Sequence, residues 1–580
     1  MRKFMKESAR YVVLTAIPLT ALLALLAYYA VDSVYWDEWE IVLLLDKFYK
    51  HALTFRDIFA QHNEHRIALT KIIILLNAIY LRWNIYLEIA VNVLLAAGTS
   101  IVIYYAVGKL DFLDIKKRML IYFTSAGLIL SFSQYDNFMW GFQMEVFMSV
   151  FFDFLALCLL VYGGNAGIFA AMFFGVLGTF SFANGMMIWP AGFVILCISA
   201  YIPEGKFRLW KVLVWSVLSL ASIYLYFYDF RYGAMQMPVN EKVIYLLTHP
   251  HVMFILFASY LGLPLSNMRQ SAALGLGILG LIIQAWSLIT IIRRRSWNRN
   301  ISFWLGIDIY ALLSAAVTSF GRSHSISSTM QYRYITICMI FWLAVIALFF
   351  IAADFGNDMP VKTYLVISSL ILCLSVSEDA LINARKKFED MTAFKQQINA
   401  GIYDNEHFLS KLYPDRAGAA RIALMKRYGV RGYENAPETI EFNDFRQIEF
   451  DSENINAVYG TYCSIDESFM KGKDFYCIEG WWKIDSFLEK DRKIARSYII
   501  FCNETSAFEA ILLPEGYNIK KVLRAKKYSN PYEMSKRNYV IGNQLYVGNL
   551  PSGTYKLFLK VNQDGHDYYM PMNETVTVEH

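Results

Sequence analysis

The sequence predicts a polytopic α-helical membrane protein of about eleven transmembrane helices, with a C-terminal, extracytoplasmic, mostly-β, sandwich-like domain. Three observations predict it. The chain has 580 residues, of which 56% are hydrophobic and only 18% charged, against about 25% charged in ordinary soluble domains. The bias is concentrated: uncharged apolar runs recur from Tyr11 to Val376, whereas Ser377–His580 has the composition of a soluble protein. The basic residues sit in short clusters beside the apolar runs, which is a topology signal. A cytosolic enzyme and a disordered chain are both excluded. The net charge of +5 is too small to suggest a nucleic-acid partner.

The elements follow in order. The basic N-terminus, MRKFMKESAR, is expected to be cytoplasmic, and the run Tyr11–Val31 lacks a small-residue cleavage pattern and should remain as an anchor. Later spans are expected over 86–107, 119–133, 142–162, 166–181, 186–201, 211–228, 270–292, 301–320, 334–353 and 362–377. Residues 66–82 decide the topology. If they cross, Lys116-Lys117-Arg118 and Arg293-Arg294-Arg295 fall outside. If they form an interfacial or re-entrant helix, both clusters fall inside with Lys206, Arg208 and Lys211. The second arrangement is the expected one. The apolar 251–265 segment and the Gly-rich 271–280 stretch fit no simple span.

Three regions result: a transmembrane domain over 1–377 with an outer loop at 32–85 containing interfacial helices, a helical linker over 378–436 broken at Pro414, and a β accessory domain over 437–580. The last is read from runs such as DFYCIEGWWKI, SYIIFC and GTYKLFLKV and the turn signal Pro551-Ser552-Gly553. Cys158, Cys197, Cys338 and Cys373 are expected to pack in the apolar runs. Among Cys463, Cys477 and Cys502 a Cys463–Cys477 bridge is conceivable.

This topology places four polar stretches on the extracytoplasmic face, where nucleotide-activated donors are absent. Directly after the first span come Asp32, Asp37 and Glu38, carboxylates suited to general-base work or to a divalent cation such as Mg or Mn. The same residues would also serve a solvated loop with a helix N-cap at Asp37. The loop ends in His62-Asn63-Glu64-His65-Arg66. Two histidines three apart share a helix face and could hold a metal, with Asp37 as a further ligand, but a phosphate-facing role fits better, with Arg66 as a bidentate fork. The second outer loop carries Gln134, Asp136, Asn137, Trp140 and Gln143, followed by Glu145. Amides, acids and an aromatic face suit sugar hydroxyls and ring C–H faces. Glu88 and Glu145 stand near the same surface. Asp153 and Asp308 lie deeper, where structural pairing explains them as well as a cavity does. The third turn holds Asn184-Gly185. The fourth places Arg322, His324 and Arg333 outside, against the positive-inside bias, and a lipid-linked phosphate would account for them.

With WDEW after the first span, an outer loop with interfacial helices and about eleven spans, the chain resembles the GT-C superfamily of polytopic glycosyltransferases over about residues 10–350. It is similar in particular to bacterial GT-C-like membrane proteins bearing HNEHR (His62–Arg66), the Gln134–Gln143 loop, SFANG (Ser181–Gly185) and Gly321-Arg322 followed by Arg333-Tyr334. The resemblance implies an inverting transferase in the cell (plasma or inner) membrane that uses a polyprenyl-phosphate-linked sugar donor and a glycan, lipid or protein acceptor. It implies a first-loop acid as base, by position Asp37 with Asp32 or Glu38 as competitor, and donor-phosphate binding by Arg66, Arg322 and Arg333. Rival readings are an O-antigen ligase or polymerase, which would depend on arginines and histidine, and a lipid-linked glycan transporter or flippase, which would show an internal repeat or matched broken helices.

Overall fold

The computed structural model describes residues 4–5, 7–8, 16–63, 65–201, 208–231, 239–294, 297–322, 330–357, 360–375, 378–400, 418–434, 446–450, 461–471, 475–484, 496–512, 539–546, 550–563 and 566–578. They fall into two compact units: Met1–Ala30 with Lys47–Ala384, and Val31–Asp46 with Arg385–His580.

The first unit is helical. Its elements are α1 (Ala16–Tyr29), the end of α2 (Ile41–Tyr49), α3 (Phe55–Phe59), α4 (Ala68–Tyr80), α5 (Ile85–Gly108), α6 (Ile115–Ile129), α7 (Tyr135–Phe138), α8 (Met144–Tyr162), α9 (Gly167–Thr179), α10 (Ile188–Ile198), α11 (Leu209–Phe227), α12 (Val239–Thr248), α13 (Pro250–Gly262), α14 (Gln270–Arg293), α15 (Arg299–Gly321), α16 (Ile335–Asn357) and α17 (Val361–Ser375). Among the described residues seven helical stretches are long and apolar enough to cross a membrane: Ile85–Gly108, Gly141–Tyr162, Leu209–Phe227, Gln270–Arg293, Arg299–Gly321, Tyr332–Asp354 and Val361–Thr392. At about 1.5 Å per residue a 24-residue helix covers the roughly 30 Å hydrocarbon core. The expected spans at α1, α6, α9 and α10 are also helical but shorter. Leu94, Ile101, Leu213, Val217, Ile282 and Val366 point out of the bundle. Such apolar faces are solvated by lipid, not water, and the chain is a multi-pass membrane protein. α16 is the central helix, almost wholly covered by its neighbours.

The helices run between two poles. At one, an amide and basic side chains meet carbonyls near helix ends, Asn300 donating to the Lys109 carbonyl (2.7 Å), Lys211 to the Gly164 carbonyl (2.7 Å) and Arg299 to the Val161 carbonyl, and Lys117 pairs with Asp354. The other pole collects the polar motif loops. α4 begins and ends at that motif pole. Lys71 near its start donates to the Ala60 carbonyl (2.6 Å), and Asn77 near its end donates to Asn84 (3.0 Å) and to Glu88 (2.7 Å) at the start of α5. Residues 66–82 therefore do not run from pole to pole. The cost of reversing the chain there is met by Asn77, whose amide satisfies the turn in both directions.

The Gly-rich stretch is a packing device. A Cβ on Gly262 would stand 1.9 Å from the Ala273 carbonyl, and one on Gly277 would stand 1.8 Å from the Ala258 carbonyl. α13 and α14 thus touch backbone to backbone, the contact small residues permit between membrane helices. Pro264 breaks α13, and Trp342 donates to the freed Leu261 carbonyl (2.8 Å).

The second unit contains the first-loop segment, the helices α18 (Glu378–Ala400, from Arg385 onward) and α19 (Gly418–Arg427), and eight strands. These are β1 (Arg446–Ile448), β2 (Thr461–Lys471), β3 (Phe475–Ile484), β4 (Arg496–Cys502), β5 (Ala507–Leu512), β6 (Tyr539–Tyr546), β7 (Gly553–Gln563) and β8 (His566–Val578). They form two antiparallel sheets, ordered β1-β5-β4-β7-β8 and β2-β3-β6. The register pairs Cys463 with Trp482 and Cys477 with Phe469. Six residues of strand, about 20 Å, separate the two cysteines along the ladder, too far for a disulfide. The Cys463–Cys477 bridge is thereby corrected.

Candidate functional site

Three of the motifs converge at the motif pole. His62 and His65 exchange backbone hydrogen bonds (2.8 Å each way) around a tight turn in which Asn63 is left-handed (φ +49°). Asn tolerates that conformation, as two-residue hairpin turns require. The expected helix face for these histidines is corrected: they oppose each other across a hairpin. The His62 ring packs on Phe142 of the second loop (5.2 Å) and the His65 ring on Phe182 of the third turn (4.6 Å). Glu64 and His324 lie outside the described residues. Among the described residues no three His, Cys, Asp or Glu side chains gather as a metal site.

Arg66 follows the turn and is buried. Its guanidinium donates to the carbonyls of Tyr226 (2.5 Å), Phe59 (2.7 Å) and Tyr228. Three of its five donors thus hold the end of α11 against the hairpin. Below it, Asp57 closes a capping box with Thr54 (2.9 and 3.3 Å) and pairs with Lys47 (2.5 Å). The hydrogen bond from Lys47, together with those from Thr54, holds the Asp57 carboxyl well below the usual carboxylate range.

The second loop behaves differently from its composition. Gln134 is buried, donates to the Leu128 (3.0 Å) and Ile129 (2.9 Å) carbonyls, and accepts from Thr336 (2.6 Å). Asn137, 0% exposed, donates to Thr336 (2.7 Å) and to the Arg333 carbonyl (3.0 Å). Asn92 of α5 clamps the Asn137 and Trp140 carbonyls (3.2 and 3.1 Å). These amides lash the loop to the start of α16 and so fix Arg333. Trp140, Gln143 and Glu145 are also buried, and Asp136 alone of the loop's charged groups is partly exposed.

At the third turn Asn184 donates to Thr318 near the end of α15 (3.3 Å). A Cβ on Gly185 would stand 2.2 Å from the Gly178 carbonyl, so no side chain fits there. At the fourth, Arg322 donates from Nε to the Tyr334 hydroxyl (3.0 Å), and the Arg333 guanidinium lies over the Tyr334 ring (5.4 Å). Arg333 Nε is buried with no hydrogen-bond partner. Lys242 of α12 joins them, donating to the Gly321 carbonyl (3.0 Å) at 5% exposure. Sequence reading missed Lys242, since one lysine in a short amphipathic segment carries no motif.

The first-loop acids are held within the second unit. Trp36–Glu40 is a single 3₁₀ turn entered through Trp36 at φ +48°. Glu38 is 0% exposed, its carboxylate accepting from the Tyr35 N–H (2.8 Å). Asp32 pairs with Arg431 (3.1 Å), and its carbonyl accepts from Lys395 (2.8 Å). Glu40 pairs with Arg421 (3.3 Å), and Tyr428 donates to Asp46 (2.6 Å). Trp39 is wedged edge-on between Phe394 and Tyr433. The segment read as a linker is therefore a clamp on the first loop. Of the three candidate bases Asp37 is partly exposed, whereas Asp32 and Glu38 are buried.

No family model matches this chain, and neither a curated protein nor a solved structure is detectably similar to it.

Proposed function

We propose that the protein is an inverting glycosyltransferase of GT-C type, with eleven spans and the motif pole on the extracytoplasmic face of the cell membrane. It would move a sugar from a polyprenyl-phosphate donor to an envelope glycan, lipid or protein acceptor. The observation that carries this reading is the assembly of Lys242, Arg322 and Arg333 at the motif pole, opposite the pole where Lys211 and Arg299 meet carbonyls near helix ends. Basic residues gathered on the side the positive-inside bias disfavours suit an anionic ligand, and a lipid-linked phosphate is one.

In this reading the donor's phosphate meets Arg333 and Arg322, whose charge stabilises the leaving group. The GT-C resemblance gives the role of base to Asp37, by its position after the first span: it would take the proton of the acceptor hydroxyl, whose oxygen attacks the anomeric carbon with inversion. The anomeric C–O bond to the donor's phosphate breaks, and polyprenyl phosphate departs as the anion without an acid. Arg66 acts as scaffold, since its guanidinium already serves three carbonyls. Incubation of the purified protein with a polyprenyl-phosphate sugar and acceptor in detergent tests the reading. Sugar transfer that is lost in Asp37→Asn supports it. Failure with every such donor alongside lipid translocation would replace it with a transporter. Transfer indifferent to Asp37 but lost in Arg322→Gln would favour a ligase.

A further inference from the structure

Beneath the motif pole the bundle holds an acid that the proposed reaction does not use. Asp153 stands on α8, two turns below Glu145 on the same face, and is 0% exposed. Ser149, one turn nearer the pole, donates to Asp153 Oδ2 (3.3 Å) and lies 3.5 Å from the Tyr310 hydroxyl of α15. The other wall is backbone: a Cβ on Gly178 of α9 would come within 2.2 Å of Asp153 Oδ1, and one on Gly185 within 2.9 Å of Ser149 Oγ. Asp153 Oδ1 has no hydrogen-bond partner. Among the described residues no lysine, arginine or histidine makes an ion pair with this carboxyl.

The titratable neighbours are few. α15 presents Tyr310, α8 itself carries Glu145, and α9 and the Asn184–Gly185 turn bring only backbone to the carboxyl. Asp308, the other deep acid, is engaged by Gln284 instead. Tyr310, Ser314 and Thr318 recur every fourth residue on α15 and therefore share one stripe. Thr318 accepts from Asn184 at the pole. The hydroxyls of Thr318, Ser314 and Tyr310 are thus spaced one helical turn apart between the pole and the level of Asp153.

A carboxylate sealed at this depth without a cation is unfavourable by several kcal/mol, and binding a proton removes that cost. We propose that Asp153 is a proton-binding site, neutral at physiological pH, that exchanges its proton with the motif pole through the hydroxyls of Ser149 and Tyr310. The bundle thereby carries a proton-linked group separate from the transfer chemistry. The proposal stands whether or not the protein transfers sugar.

Infrared difference spectra between the purified full chain and Asp153→Asn test it, with monodispersity and melting temperature of the variant as the folding control. The expected difference is loss of one protonated-carboxyl carbonyl band at neutral pH, a band that shifts in deuterated buffer and shifts more slowly in Tyr310→Phe. Dicyclohexylcarbodiimide, which modifies protonated carboxyls in apolar surroundings, gives a second readout that does not need a folded Asn variant. Mass spectrometry should find the adduct on the Asp153 peptide at neutral pH. A carboxylate band in the difference spectrum, or an unmodified Asp153 peptide, overturns the proposal. A band indifferent to deuterium overturns the exchange path. Protection from the carbodiimide by sodium but not potassium would assign the site to a metal cation and overturn the proton.

Discussion

The two poles of the helical unit use their described cations differently. At the basic pole Lys117 meets Asp354, while Arg299 and Lys211 meet carbonyls left open at helix ends. Charge there meets carbonyls near helix termini and one acid. At the motif pole Arg333 is fixed by its own carbonyl through Asn137, yet its Nε stays unsatisfied. The Arg333 guanidinium rests on the Tyr334 ring instead of closing a helix end. The difference teaches that the positioning of an arginine is more informative than its presence.

That contrast can be broken experimentally, the largest effect first. Asp37→Asn is expected to lower sugar transfer about 10²–10⁴-fold, the usual contribution of a general base, with insertion and melting unchanged. Arg333→Gln is expected to lower transfer about 10²-fold at unchanged stability, as removal of one charge-stabilising donor does. Lys117→Met at the other pole should do the reverse: transfer per folded molecule is retained, while thermal melting reports a loss of about 3 kcal/mol from the stranded Asp354. Equal kinetic effects of Arg333→Gln and Lys117→Met would erase the distinction between the poles. Gly277→Val, which forces a Cβ against the Ala258 carbonyl, is expected to cost about 1–3 kcal/mol and the yield of folded protein.

The smallest effect concerns acid. The Asp57 carboxyl is lowered in the folded state, so its stabilisation is complete above the ordinary carboxylate range and fades as pH falls below it. Its partner Lys47 is nearly half exposed, so solvent screens the pair. Asp57→Asn should lower the melting temperature slightly at neutral pH, flatten the acid limb of the profile and converge on the wild type at low pH.

Much of the fold was legible because hydropathy and charge act locally. A run of apolar residues reports its own environment, and each of the expected spans falls on a helix. The tail strands were legible for the same reason. The site was less legible because partners are distant in sequence. Gln134 and Asn137 have the composition of a sugar subsite, but Thr336, about two hundred residues away, claims both. Arg66 resembles a phosphate fork until Tyr226 and Tyr228 supply carbonyls. HNEHR reads as a helix start because its spacing allows one, whereas the left-handed Asn63 makes a hairpin. The clamp of Arg421, Lys395 and Arg431 on the first loop could not be read from a tail whose composition is merely that of a polar helix.

The most direct measurement is the initial rate of sugar transfer from a purified polyprenyl-phosphate donor by wild type, Asp37→Asn and Lys117→Met in the same detergent. The expected result is transfer by wild type and Lys117→Met and a rate at least about 10²-fold lower in Asp37→Asn. Wild-type rates in Asp37→Asn, or no transfer by the wild type from any such donor, would contradict it.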